Sequence, residues 1–309
     1  MASKSKIVVL SGPTASGKTS LGIRLAQLYN GEIVSADSIQ IYRYMDLGSA
    51  KPSTEEQRLV RHHMIDIRDP DEEYSVGNYV QEARSLVDSL IKKNKIPFIV
   101  GGTGLYIRGL LGGLIDLPLS DQNLRSKLKK IHEKQGLDVL FNRLRNIDSV
   151  SAERIGPRNA NRIIRALEVY ELTGKRMSDL TNRHLFRDNP YDTLFVCIAP
   201  KREVLYERID KRVDNMLETG LLDEVIGLRN RGYTRELKSM QSLGYRHAAM
   251  ILDGETDLSE AARQMKRDTR HYAKRQLTWF RSESNVTWFD PCNISAIEVF
   301  VENFLSQEC

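Results

Sequence analysis

The chain is poor in cysteine: among its 309 residues there are three, Cys197, Cys292 and Cys309, far apart and without paired or histidine-linked spacing. That excludes a disulfide framework and a cysteine-based zinc site, and the three are read as isolated reduced thiols. Apolar runs of membrane length are also missing, so no stretch reads as a span. The start, MASKSK, shows neither an apolar signal region nor an arginine-rich leader, and a soluble, cytoplasmic protein is expected. Internal repeats and low-complexity stretches are absent too. What is there is ordinary for a globular fold: 40% hydrophobic residues, in a chain long enough for one large domain or a domain with an insertion. A net charge of +5 and a pI near 9.0 lean toward a polyanionic partner without identifying it.

Apolar runs ending in small or acidic residues recur through the first third: IVVLSGPT from Ile7, EIVSADS from Glu32, MIDIRDP from Met64 and PFIVGGTG from Pro97. Each predicts a buried parallel strand. Helical patterns such as TSLGIRLAQLY and VGNYVQEARSLVDSLIKK separate them, so the sheet is expected to be mostly parallel with helices on both faces. After Leu117-Pro118 the pattern turns wholly helical, from LRSKLKKIHEKQ through NRIIRALEVYELTG, until DTLFVCIAP restores a strand. The fold class is therefore α/β: a P-loop NTPase-like parallel sheet core with an inserted all-helical domain and a helical C-terminal part. The expected divisions are 1–118, the first part of the core; 119–190, the inserted domain; and 191–309, the rest of the core with basic C-terminal helices.

The segment GPTASGKT runs from Gly12 through Pro13, Thr14, Ala15, Ser16, Gly17 and Lys18 to Thr19, directly after the apolar run IVVL. Its glycines let the backbone turn so that N–H groups point inward, Lys18 reaches the outer phosphates, and the Thr19 hydroxyl can ligate Mg²⁺. A helix starting here presents its positive end to the anion. The motif calls for a pyrophosphate or triphosphate and does not specify ATP. Ligands of such sheets collect beyond the carboxyl ends of the strands, so Thr14, Asp37 and Thr103 should face one crevice. Asp37 suits either a Mg²⁺-holding acid or a base that takes a proton from an acceptor, and it also suits a plain N-cap. The amide of Gln40 offers both a donor and an acceptor to a base edge such as adenine's. Arg208 and Arg212 share a helix face, as lid arginines over a transferring phosphate or as a solvated basic face.

Two basic stripes suit a polyanion. Arg263, Arg267, Arg270 and Lys274 recur at steps of four, three and four, with Met265, Tyr272, Ala273, Trp279 and Phe280 on the opposite, core-packing side. In the insertion, Arg158, Arg162 and Arg165 make a shorter stripe, with Asn159 and Asn161 adding amide contacts. These features fit a P-loop kinase, a nucleic-acid-dependent ATPase, or a transferase acting on a nucleic acid.

Taken in order, GPTASGKT, DSIQIYR at Asp37, MDLGSAKP at Met45, HHMIDIRDP, GGTGLY, NRIIRALEVY, SLGYRH at Ser242 and KRQLTWFR at Lys274 resemble the bacterial tRNA dimethylallyltransferases, or isopentenyl-diphosphate:tRNA transferases, through nearly the whole chain. The resemblance implies transfer of a dimethylallyl group from its diphosphate to N6 of the adenosine 3′ of the anticodon. It implies Asp37 as general base, Lys18 and Arg212 as diphosphate ligands, Thr19 at the Mg²⁺ position, and a P-loop that holds a leaving group. Segments implied to contact the tRNA anticodon stem-loop are Asp37, Ser38, Ile39 and Gln40; Asn161, Arg162, Ile163, Ile164 and Arg165; Gln241, Ser242, Leu243, Gly244, Tyr245 and Arg246; and Lys274, Arg275, Gln276, Leu277, Thr278, Trp279, Phe280 and Arg281, with Thr103 and Arg125 as further contacts. Asn161 departs from the Gln or Lys that many members carry. The zinc-finger extension of eukaryotic relatives is absent, and a cytoplasmic monomer without membrane attachment is expected.

Overall fold

A computed structural model describes residues 4–115, 117–118, 120–184 and 188–307. Among them, strands β1 (Lys6–Ser11), β2 (Gly31–Ser35), β3 (His62–His63), β4 (Ile96–Gly101), β5 (Asp192–Ile198) and β6 (Thr287–Phe289) form one parallel sheet in the order β3-β2-β4-β1-β5-β6. Its central strand shows why the sequence runs are continuously apolar: Ile7, Val8, Val9 and Leu10 are all fully buried, as a strand covered on both faces requires. Register brings the carboxyl ends level, with Leu10 and Ser35 both opposite Val100, and Ser11 opposite Gly101 and Cys197.

In this sheet-bearing unit the helices are α1 (Lys18–Leu28), α2 (Thr54–Leu59), α3 (Val76–Lys92) and α4 (Gly104–Gly112), followed by five helices of a separate unit. Those five are α5 (Gln122–Gln135), α6 (Leu137–Ile147), α7 (Ser149–Ile155), α8 (Ala160–Thr173) and α9 (Met177–His184). The chain then returns through α10 (Arg202–Glu218), α11 (Leu221–Asn230), α12 (Tyr245–Leu252), α13 (Leu258–Arg281) and α14 (Ile294–Ser306). The two compact units are Met1–Leu111 with Pro190–Cys309, and Gly112–Asn189.

One core joins the sheet to α1 and, through Ile297 and Val301, to α14. A second joins the loop after β2, at Ile41 and Met45, to α10, α11, α12 and Met265 of α13. The helical unit has its own core, of which Leu128, Leu140, Leu144, Ile163, Ile164 and Leu167 form the greater part. Three of its helices begin where short polar side chains accept first-turn N–H groups, Asp121 for α5, Asp148 for α7 and Asn159 for α8.

The strand expected from Met64 does not form. The strand there ends at His63, because Met64 and Asp66 take left-handed backbone angles, φ 62° and 55°. Asp66 then donates its N–H to the Gln40 carbonyl, and Ile67 and Arg68 donate theirs to that of Ile41. This segment therefore lies on the loop after β2 instead of extending the sheet.

Candidate active site

The P-loop wraps closely around the end of β5. A Cβ added to Gly12 would fall 2.3 Å from the Ile198 carbonyl oxygen, so only glycine fits. Gly17, at φ 91°, starts α1 without a side-chain cap, which leaves first-turn N–H groups for an anion. Lys18 folds back and donates to the Pro13 carbonyl at 3.2 Å. From α10, Arg208 reaches the Ser16 carbonyl at 3.4 Å. Ser16 is fully buried and its hydroxyl has no partner among the described residues.

Beyond these strand ends lies a cavity of about 480 Å³, a size suited to a small ligand. Its polar lining includes Lys18, Thr19, Asp37, Arg212, Arg246, Tyr272 and Arg275. Its apolar lining includes Ile33, Ile39, Val100, Val213, Met216 and Met265. Burial lowers the Lys18 pKa to about 8, with the Arg212 charge adding to the effect and Asp37 opposing it. Arg212 is likewise lowered by burial and supported by Asp37. The three charges therefore act on one another within a single desolvated pocket. Among the described residues no cluster of three His, Cys, Asp or Glu side chains could hold a metal ion. The Thr19 hydroxyl, together with water and a ligand's own phosphate oxygens, suits magnesium, which rarely uses an all-protein cage.

Asp37 does two things at once. Its Oδ1 accepts the N–H groups of Ile39 at 2.9 Å and Gln40 at 3.4 Å, a capping role, while the residue still lines the cavity. Thr14 also lines it, but Thr103 stands behind. The Thr103 Oγ1 accepts the Ser38 N–H at 3.1 Å. The amide of Gln40 is largely committed within the protein: Oε1 accepts from the Ser35 hydroxyl and Nε2 donates to the Ala50 carbonyl. A base edge would find one N–H and one lone pair remaining. Of the other segments, Ser38, Ile39, Gln241, Ser242, Leu243 and Arg246 line the cavity. Gly244 and Tyr245 are buried behind it.

On α13 the structure redraws the expected pattern. The arginines of the stripe are paired, Arg263 with Glu260, Arg267 with Asp268, and Arg270 with Asp210 of α10 while stacking on Tyr206. Arg270 therefore joins two helices instead of offering a bare phosphate contact, and Lys274 is the exposed member with no ion pair among the described residues. Tyr272, expected in the core, faces the cavity together with Asp268, Thr269 and His271, which the sequence reading misses. The available signal is a polar strip, Asp268, Thr269, Tyr272 and Gln276, on the side opposite the arginines. Also missed are His62 and the loop at Gly48, Ser49 and Ala50. Gln276 is buried and braces two motifs, accepting the Thr14 N–H and donating to the Gly102 carbonyl, both at 2.9 Å. Three close approaches account for the GGTG glycines: a Cβ on Gly101 would meet the Ala36 carbonyl oxygen at 2.2 Å, one on Gly102 would meet Gln276 at 2.2 Å, and one on Gly104 would meet the Trp279 ring at 2.3 Å. Leu277 packs beside Leu205 and Ile209, Phe280 is fully buried, and Thr278 and Arg281 are exposed.

In the helical unit, Ile163 and Ile164 are core residues, so their side chains hold α8 in place and do not face solvent. Arg125 and Arg165 both donate to the fully buried Glu168, and Arg165 also donates to the Pro118 carbonyl. Asn159 spends its side chain capping α8, while Asn161 and Arg162 are exposed. Cys197 is buried, and desolvation pushes its thiol up to about 12, which makes it inert. Cys292 is exposed and unpaired, and Cys309 lies outside the described residues. No helix among the described residues is long and apolar enough to cross a membrane.

A family model described as IPP transferase matches residues 40–283. The tRNA dimethylallyltransferase of Desulfatibacillum aliphaticivorans is 47% identical over 305 residues, 99% of this chain and 100% of that protein. The tRNA dimethylallyltransferase 1 of Syntrophotalea carbinolica is 48% identical over 284 residues, 92% of this chain and 90% of that one. Among solved structures, the full-length tRNA isopentenylpyrophosphate transferase of Bacillus halodurans aligns with a TM-score of 0.73 at 40% identity, over 98% of this chain and 97% of that one. A eukaryotic dimethylallyltransferase acting on tRNA aligns with a TM-score of 0.81 at 31% identity, over 97% of this chain and 77% of that one.

Proposed function

Because the chain belongs to the IPP transferase family, we propose that it moves the dimethylallyl group of dimethylallyl diphosphate onto N6 of the adenosine 3′-adjacent to the anticodon in tRNA, forming N6-isopentenyladenosine and releasing diphosphate. The observation that carries this reading is a single cavity in which Asp37 lies within charge range of Lys18 and Arg212, beside apolar residues suited to a five-carbon chain.

In the reaction the N6–C bond forms as the allylic C–O bond breaks. The adenine amine is a poor nucleophile, its lone pair being delocalised into the ring, so Asp37 takes its proton as the new bond forms. The electron pair of the C–O bond leaves on diphosphate. Lys18, Arg212 and the P-loop N–H groups stabilise that growing charge in a site already desolvated. Thr19 would hold Mg²⁺, which supplies further neutralisation of the diphosphate when bound. The Tyr272 phenol is held above its usual pKa by burial and by the Asp37 charge, so it stays protonated as a hydrogen-bond donor at the site. The target base must leave the stack of its loop to enter, and tRNA contacts around the mouth offset that cost. Arg246, Arg275 and Lys274 are the contacts we assign there, and the exposed Arg162 is the tRNA contact we assign to the helical unit by itself. The protein acts as a monomer in the cytoplasm.

The test is incubation with radiolabelled dimethylallyl diphosphate, ATP and unmodified tRNA, followed by nucleoside digestion. Label on one adenosine at N6 with ATP intact supports the reading. ATP hydrolysis or phosphoryl transfer without label on RNA refutes it.

A further inference from the structure

We propose that Glu224, which lies outside the cavity lining, is a positioning residue for Asp37, an inference that rests on the transferase reading above. The Glu224 carboxylate accepts three consecutive backbone N–H groups, from Asp46 at 3.1 Å, Leu47 at 2.8 Å and Gly48 at 3.2 Å, and the Tyr245 hydroxyl at 2.6 Å. Four donors fill the acceptor sites of one carboxylate, and each bond is strengthened by its charge. Tyr245 is fully buried, and a Cβ on Gly48 would fall 2.5 Å from its ring, so α11 and α12 grip this segment from two sides.

The gripped segment needs holding. It belongs to the loop from Asp37 to Ala50, in which Tyr44 and Ala50, neither of them glycine, take left-handed angles of φ 66° and 46°. Such conformations persist only where the surroundings over-determine them. From the clamp, the constraint runs back to the reacting end through Gln40. Its side chain ties the Ala50 carbonyl to the Ser35 hydroxyl, while its backbone N–H and that of Ile39 are held by Asp37 Oδ1. Glu224 thus touches no reacting atom and acts through the backbone that aims the base.

The experiment is single-turnover transfer from saturating dimethylallyl diphosphate to tRNA in wild type, Glu224→Gln, Asp37→Asn and the double variant, with rates expressed per diphosphate-binding site. Gln keeps the size but presents an amide N–H to donors that need an acceptor. Rates should fall ~10–100-fold in the wild-type background, the range expected for a displaced catalytic group. Diphosphate affinity should stay within about 2-fold, because the P-loop is held separately. In the Asp37→Asn background the loss should nearly vanish, since misplacing a base already disabled has little further effect. A purely structural role lowers the melting temperature and leaves these rates and their dependence on Asp37 unchanged. Tyr245→Phe removes one of the four bonds and should show a smaller loss with the same dependence; it decides the matter if Glu224→Gln does not fold. Equal losses in both backgrounds, or none, overturn the inference while wild-type transfer leaves the transferase reading standing. A wild type that labels no tRNA removes both.

Discussion

Lys18 is charged at neutral pH but held near pKa 8, well below the usual 10.5 of a lysine. The unfolded chain therefore binds the extra proton between about pH 8 and 10.5, so this group's contribution to stability rises with pH across that window. Ligand binding runs the other way. A bound diphosphate raises the Lys18 pKa again, and above pH 8 binding must take up a proton. Affinity for dimethylallyl diphosphate should hold steady from pH 7 to 8 and then fall roughly tenfold per pH unit. Isothermal titration from pH 7 to 9.5 checks this, and a flat profile contradicts it. Lys18→Arg, whose guanidinium does not titrate in this range, should abolish the dependence. Lys18→Ala should weaken binding and turnover together, because in the proposed reaction Lys18 meets the diphosphate in both ground and transition states. The P-loop glycines and Lys18 were legible from spacing because their backbone conformation and charge leave few alternatives. The commitment of Gln40 to Ser35 and Ala50 was not, because a side chain's partners depend on where distant backbone arrives.

Helix α13 shows what periodicity reveals and what it does not. The arginine stripe and the opposite face can both be read from the sequence, but the spacing is the same whether the second face meets core or cavity, and Tyr272 turned out to line the cavity. The pairing of Arg270 was equally hidden, since Asp210 lies on another helix. The members of the stripe should therefore behave differently. Arg270→Ala should cost about 1 kcal/mol of stability through the lost pair and ring contact, read as a lower melting temperature. Lys274→Ala should leave stability alone and reduce the slope of log affinity for tRNA against log salt by about one. Equal effects of both variants on the salt slope would contradict this division. The short β3 was the other element beyond reach, because the left-handed Met64 and Asp66 interrupt a run that looks like strand.

At the scale of the molecule, the alternation of buried runs and helices made the parallel sheet legible, and the wholly helical stretch marked the second unit. The 46 lysines and arginines overstate how much bare positive surface exists, since many arginines are paired with Asp or Glu. In the helical unit Glu168 takes both Arg125 and Arg165, and although burial opposes its charge, hydrogen bonds from the two arginines keep its pKa below the usual value. Glu168→Gln should cost about 3 kcal/mol or more, as loss of one partner from a buried ion network does, and chemical denaturation measures it. The proposed transfer requires the P-loop to hold a leaving diphosphate while Asp37 deprotonates the acceptor. The most direct measurement follows diphosphate release and labelled tRNA together in a single turnover, for wild type and Asp37→Asn. The account predicts one diphosphate per label, a rate ~10²–10⁴-fold lower in Asp37→Asn, and nearly unchanged affinity for dimethylallyl diphosphate. Transfer by Asp37→Asn at the wild-type rate, or diphosphate released without label on tRNA, would contradict it.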